Sequence, residues 1–147
     1  MRLFIDGDAF PNTLKPIILK AINKRRLETI VVSNKKVFIG ESPHITYEIV
    51  ELGIDGADNH IVDVVKEGDF VITADIPLAD KCVSKGALGL DHRGELFCED
   101  NIKSLLAIRN LMSEIRDSGE ITRGPKPFSK KDAEAFANGL YRFLDRC

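Results

Sequence analysis

Apolar runs of strand length, not alternating with polar residues, recur along this 147-residue chain, with helix-period stretches between most of them. Leu3 to Ile5, Glu28 to Ser33, Asp69 to Ala74 and Ala87 to Leu90 are such runs. A strand that is apolar on both sides must be covered on both sides, which calls for a mainly parallel sheet between two layers of helices. The first run leads directly into Asp6-Gly7-Asp8. If the backbone is still extended there, its period of two puts both carboxylates on one face, close enough to share a cation.

The helical stretches have equally plain signals. Leu14, Ile17, Ile18, Ala21 and Ile22 make one helix face, with Pro16 in the first turn, where no backbone donor is lost. Ile45 to Leu52 reads as a further strand, and Gly53 to Ala57 as loop. Asp58 is placed to cap a short helix carrying Ile61, Val62 and Val65 and ended by Gly68. Leu78, Ala79, Cys82 and Val83 form the next apolar face, after Pro77 and before Gly86. From Asp100 a longer helix carries Ile102, Leu105, Leu106, Met112 and Ile115. Residues 121–128, with two prolines and a glycine, form a shaped loop. Ser129 and Asp132 then make a capping-box pattern ahead of Ala133, Phe136, Ala137, Leu140 and Leu144.

The length suits one domain over residues 1–147, able to bury roughly 70% of the surface its unfolded chain exposes. No apolar run approaches the roughly 20 residues of a membrane span, and the start lacks the pattern of a signal peptide. Three cysteines, Cys82, Cys98 and Cys147, with no Cys-x-x-Cys pair, point to a reduced, cytoplasmic setting. A net charge of -2 does not advertise constitutive nucleic-acid binding, yet an acidic metal site itself lowers net charge and bound cations restore it.

In an open α/β sheet, ligands gather outside the carboxyl ends of the strands. Acids stand at such ends here: Asp6 and Asp8 after the first strand, Asp75 after Asp69–Ala74, and Asp91 after Ala87–Leu90. Asp58 starts the helix before the fourth strand and admits two readings, a simple N-cap or a member of the same rim. Carboxylates crowded together cannot all stay ionised without cations between them, and oxygen ligands suit Mg²⁺ or Mn²⁺. Two such ions about 4 Å apart activate a water and stabilise a leaving oxygen in phosphodiester hydrolysis. Asp80 reads as a solvated residue, and His44, His60 and His92, without zinc spacing, as surface or hydrogen-bonding histidines. Arg93 beside Gly94 and Arg123 beside Gly124 sit in loops where a guanidinium could grip phosphate or be ordinary surface arginine.

Asp6-Gly7-Asp8-Ala9-Phe10-Pro11, Gly56-Ala57-Asp58, residues 73–79 (TADIPLA), Arg93-Gly94 and residues 124–128 (GPKPF) together resemble the YaiI/YqxD family of uncharacterised bacterial proteins. The match spans nearly the whole chain, Asp-Ile-Pro-Leu-Ala being its most specific part. That family looks like a branch of the PIN-like superfamily, mostly metal-dependent nucleases with a five-stranded parallel sheet in the order 3-2-1-4-5. The resemblance implies that Asp6 is the first acid of a PIN-like site, Asp58 the acid before the fourth strand and Asp75 the acid after it, with Asp8 part of the family's own Asp-x-Asp signature. Gly7 and Phe10 stand where the family usually has alanine and cysteine, Asp91-His92 where it has Asn-Pro, and Arg123 where it has glycine. No carboxylate is lost by these departures, and the absent cysteine has no redox or nucleophilic role here.

The leading expectation is a Mg²⁺- or Mn²⁺-dependent nuclease acting on RNA, with Asp6, Asp8, Asp58 and Asp75 as metal ligands and catalytic acids. Arg93, Arg123 and Lys126 are the expected substrate contacts. A haloacid-dehalogenase-like phosphatase would use Asp6 and Asp8 as nucleophile and general acid. It lacks a hydroxyl residue at Phe10 and any Asp-Asp pair. A third reading is a metal-stabilised module that binds RNA or a protein through the loop from Arg123 to Phe128, near Lys126, Lys130 and Lys131.

Overall fold

The computed structural model describes residues 1–8, 10–50, 56–117 and 128–145, with residues 56–59 and 116–117 described by their backbone alone. Four residues of β1 (Leu3–Asp6), all buried, form the axis of the sheet. On one side β1 pairs in parallel with β2 (Thr29–Ser33), and β2 with β3 (Ile45–Ile49). On the other it pairs in parallel with β4 (Phe70–Ile72), and β4 with β5 (Leu88–Leu90). A sixth strand, β6 (Leu96–Phe97), turns back antiparallel on β5. The order is β3-β2-β1-β4-β5-β6, so the expected 3-2-1-4-5 arrangement holds and one short strand extends it. No helix among the described residues is long and apolar enough to cross a membrane.

The period of two along the strands divides the core into two layers. Leu3, Ile5, Val31, Phe70, Ile72 and Leu90 face α1 (Lys15–Arg25) and α5 (Lys130–Leu144), where Ile18, Ile22, Phe136 and Leu140 meet them. Phe70 and Phe143 stack with ring centroids 3.9 Å apart. Phe4, Val32 and Val71 point the opposite way, onto Ile61 and Val65 around α2 (Gly56–Val64) and Leu78 and Cys82 of α3 (Ile76–Ser84). Each side chain lost from water here contributes about 1.5–3 kcal/mol, which explains why apolar runs without alternation become central strands.

Capping chemistry sets several helix starts. Ser129 accepts from the Asp132 N–H while the Asp132 carboxylate accepts from the Ser129 N–H, the capping box expected for α5. The helix expected to be capped by Asp58 begins two residues earlier, at Gly56, so Asp58 lies within its first turn. There a carboxylate is still favoured by the helix dipole.

Of the stripe read on α4 (Ile102–Asp117), Met112 alone is exposed, and the exposed Ile108 and Leu111 lie outside that stripe. Ile102 and Leu105 pack on Ala79, Val83 and Phe97, but Ile108, Leu111 and Met112 are exposed. At 1.5 Å per residue, α4 with 16 residues outruns α3 with 9, and the two residues of β6 extend the support no further.

Candidate metal centre

Two of the expected acids, Asp6 and Asp75, are joined at the carboxyl ends of β1 and β4, the central pair of the sheet, and Asp8 follows two residues after Asp6. Asp6 is the last residue of β1 and only 9% exposed. The pleat places it on the same face as Phe4, toward α2 and α3. Its Oδ2 accepts a 3.0 Å hydrogen bond from the hydroxyl of Thr73, which follows β4 and is fully buried. The same hydroxyl oxygen accepts the N–H of Asp75 at 3.0 Å. Thr73 therefore ties the end of β1 to the start of α3, a role that the acid pattern alone did not suggest.

Asp75 is the N-cap of α3, its Oδ1 accepting the Leu78 N–H at 3.1 Å. One carboxylate oxygen is committed to the helix; the N-cap geometry leaves the other for a ligand. Asp8 receives the Asn34 N–H on both oxygens, at 2.8 and 3.0 Å, and so pins the exit of β1 to the exit of β2. Burial is the main reason the Asp6 carboxyl is held above its ordinary range. The Thr73 hydroxyl and the Asp8 N–H oppose that rise, while the negative charges of Asp8 and Asp75 add to it.

Asp58 belongs to the same end of the sheet by topology. The β3-α2-β4 crossover joins parallel strands, so α2 runs against them and its first turn lies at their carboxyl ends. Its side chain lies outside the described residues. Among the described residues no three histidine, cysteine, aspartate or glutamate side chains form a group that could hold an ion.

Of the expected substrate contacts, Arg123 and Lys126 lie outside the described residues. Arg93 is held at the start of α5, with its Nε 3.4 Å from Asp132 and its guanidinium 5.9 Å from the Phe128 ring centroid. Asp91 serves the β5–β6 turn: its Oδ1 takes the N–H groups of Arg93 and Glu95 at 2.8 and 2.9 Å. Asp80 is not simply solvated, since it pairs with Lys103 at 2.7 Å and links α3 to α4.

His92 departs most from expectation. It is 7% exposed, and its Nε2 is buried with no hydrogen-bond partner among the described residues. Burial pulls the imidazole below its ordinary range, with Asp91 pulling upward and Arg93 adding to the decrease. The ring meets Phe10 edge to face at 5.5 Å and 88°. Phe10, itself buried, and His92 thus pack on each other across the fold.

Thr73→Val tests the hub. It keeps the shape but leaves Asp6 Oδ2 and the Asp75 N–H without their partner, at a cost of about 1–3 kcal/mol. Thermal unfolding should show a Tm lower by roughly 2–4 °C per kcal/mol, with Thr73→Ser much closer to wild type. Equal Tm values for Thr73→Val and wild type would remove Thr73 from this role.

The family model described as "Uncharacterized BCR, YaiI/YqxD family" matches residues 4–146. A "UPF0178 protein" of Sulfurimonas denitrificans is 66% identical over 144 residues, covering 98% of this chain and 95% of that protein. Proteins of the same name from a Sulfurovum species and a Nitratiruptor species are 59% and 55% identical, over 98% and 99% of this chain and 97% and 96% of their own lengths. No solved structure matches. From end to end of the sheet and across the acid rim, the chain belongs to the YaiI/YqxD family.

Proposed function

We propose that the protein is a divalent-metal-dependent nuclease acting on RNA, with Asp6, Asp8, Asp58 and Asp75 holding Mg²⁺ or Mn²⁺. The observation that supports this reading is the pairing of Asp6 and Asp75 through Thr73 at the carboxyl ends of β1 and β4, with Asp8 near enough to Asp6 for its charge to be felt there. An all-oxygen, all-carboxylate donor set fits hard cations. A carboxyl raised chiefly by burial, with two neighbouring negative charges adding to the rise, is a group whose ionised form a cation would stabilise. When bound, the ion supplies an activated water and charge stabilisation for the departing oxygen.

The chain's own residues have separate tasks in this reading. Thr73 orients the Asp6 carboxylate and holds the Asp75 backbone, so two ligands keep their spacing when either strand end moves. The Leu78 N–H fixes one oxygen of Asp75, and the Asn34 N–H steadies Asp8. Asp58 adds a fourth carboxylate from the first turn of α2. The resemblance to PIN-like nucleases points to the phosphodiester as the bond broken, and the acid rim is the part of that resemblance this chain retains.

The test is cleavage of an end-labelled single-stranded RNA by purified protein in Mn²⁺ or Mg²⁺, with a chelator arm. Cleavage should vanish on chelation and fall by roughly 100-fold or more in Asp75→Asn, because an oriented charge in a dry site supplies several kcal/mol. Cleavage that persists in both arms, or no cleavage together with no calorimetric Mn²⁺ binding, would overturn the proposal.

A further inference from the structure

The buried imidazole of His92 has no part in the acid rim, and its surroundings give it a different use. His92 comes two residues after Leu90, the end of β5, whose side chain lies in the core layer of α1 and α5. It is 7% exposed and meets Phe10 edge to face, and Phe10 in turn meets Phe136 of α5 with centroids 6.4 Å apart and planes 75° apart. Three rings thus join the exit of β5, the exit of β1 and α5. Phe10 and Phe136 belong to the core layer opposite the one that Asp6 faces.

In this seam a neutral imidazole fits and a charged one does not. Nε2 is buried and has no hydrogen-bond partner among the described residues. An imidazolium carries a proton on both ring nitrogens, so its Nε2–H would need an acceptor that these surroundings do not provide. Burying an ion without its hydrogen bonds costs far more than burying a neutral ring, and contact with an aromatic ring offsets only part of that cost. The charged groups nearby do not fill the gap. Asp91 draws the imidazole toward its charged form, but its Oδ1 is taken by the Arg93 and Glu95 N–H groups. Arg93 opposes the charge, and Asp132 of α5 is turned to Arg93. Phe10 and Phe136 bring no charge, and Asp8, two residues before Phe10, is held by the Asn34 N–H.

Anchoring sets which of the two partners yields. The turn that carries His92 is locked, because Gly94 lies against the α5 backbone and Asp91 closes the turn with two hydrogen bonds. The segment that carries Phe10 is held less. After Pro11 a single 3₁₀ turn, Asn12–Leu14, starts without a side-chain cap and is closed by the Leu14 N–H on the Pro11 carbonyl at 3.0 Å. Asn12 and Thr13 are exposed, and Phe10, itself 7% exposed, is the aromatic anchor of this stretch.

We infer that His92 is an acid-sensitive latch: neutral, it keeps Phe10 docked between β5 and α5, and protonated, it releases Phe10 with the stretch from Pro11 to Thr13. The latch does not depend on the nuclease reading, since it uses none of the acids of the rim.

Its effect on stability has a defined sign. A histidine held below its ordinary pKa binds fewer protons in the native chain than in the unfolded one. The stability this gives is complete above about pH 6.5 and is lost as pH falls toward the lowered folded value. The raised carboxyls of Asp6 and Glu95 act in the opposite direction, and comparison with a variant that keeps both removes their effect.

The test is a titration of the full chain from about pH 8 to about pH 5, the range in which histidine changes charge. In wild type the assigned NMR signals of the His92 ring should titrate with a midpoint below about 6.5, and the Phe10 ring signals should change with the same midpoint. Over this range wild type should lose about 3–5 °C of Tm relative to His92→Phe for each unit by which that midpoint is lowered. His92→Gln, polar but unable to gain the charge, should follow His92→Phe. Phe10 signals that stay fixed while His92 titrates, or Tm curves that run parallel in wild type and both variants, would overturn the latch. If neither variant folds, the wild-type titration decides alone, a shared midpoint sustaining the latch and separate midpoints defeating it.

Discussion

Gly94→Ala should lower the Tm by about 10 °C or more, a loss of at least roughly 4 kcal/mol at this chain length. Gly94 sits in the β5–β6 turn at φ 87°, where an L side chain is strained. An added Cβ would also lie 2.2 Å from the Ala135 carbonyl oxygen and 2.5 Å from its carbon. Those are backbone atoms of α5, unable to swing aside as a side-chain tip can. From the other side, a Cβ on Gly139 would stand 2.7 Å from the Gly94 oxygen, so turn and helix touch backbone to backbone. Forcing them apart lifts Phe136, Leu140 and Phe143 from the core beside Phe70 and Leu90.

Gly68 provides the control. It has the same φ of 87° but nothing within 4 Å of an added Cβ, so Gly68→Ala reports backbone strain alone, about 1–2 kcal/mol. Thermal or denaturant unfolding of the two variants separates the effects. A Gly94→Ala loss no larger than that of Gly68→Ala would show that the turn and α5 are not packed this closely.

Asp6→Asn should act in the opposite direction on stability while abolishing turnover. An acid whose folded pKa is raised binds its proton more tightly in the native state than in the unfolded chain. Stability is then lost as pH climbs from the ordinary value of about 3.9 through the raised folded value, and remains lower above it. Asparagine has no charge to bury and can still accept the Thr73 hydroxyl and the Asp8 N–H. The variant should therefore match wild type at low pH and exceed it at neutral pH, each kcal/mol relieved appearing as roughly 2–4 °C of Tm.

In the same scans, Mn²⁺ should raise the Tm of wild type much more than that of Asp6→Asn, since binding to the native state stabilises it by mass action. RNA cleavage by the variant should fall by roughly 100-fold or more. A variant that is less stable than wild type at neutral pH, or that keeps its activity, would count against Asp6 as a buried ligand in a crowded acid site.

Much of the frame was legible from local pattern. The runs at Leu3–Ile5, Glu28–Ser33, Asp69–Ala74 and Ala87–Leu90 became the four central parallel strands, and the Ser129–Asp132 pattern became a capping box. These features depend on hydrophobic period and neighbouring donors, both of which a sequence carries within a few residues. Asp6, Asp8 and Asp75 could be placed on one rim because every parallel strand ends on the same side.

What was not legible depends on partners far away in the chain. Two residues, Leu96 and Phe97, carry no strand signal, and they become β6 because β5 offers an open edge and Asp91 closes the turn. His92 is buried because Phe10, some eighty positions earlier, covers it. α4 leaves Met112 of its apolar stripe exposed, beside Ile108 and Leu111, because its supports are short.

The sequence by itself determined the layer architecture, the positions of the acids at strand ends and the family. Only the tertiary structure decided that Thr73 joins Asp6 to Asp75, that Asp91 serves a turn, that Gly94 is bound to α5 by closeness, and that Phe38 stacks on Tyr47 in the open. The reason is physical: periodicity and capping are set by residues within a turn of helix or a few residues of strand. Burial, charge coupling and steric closeness are set by whichever distant segment the fold brings alongside.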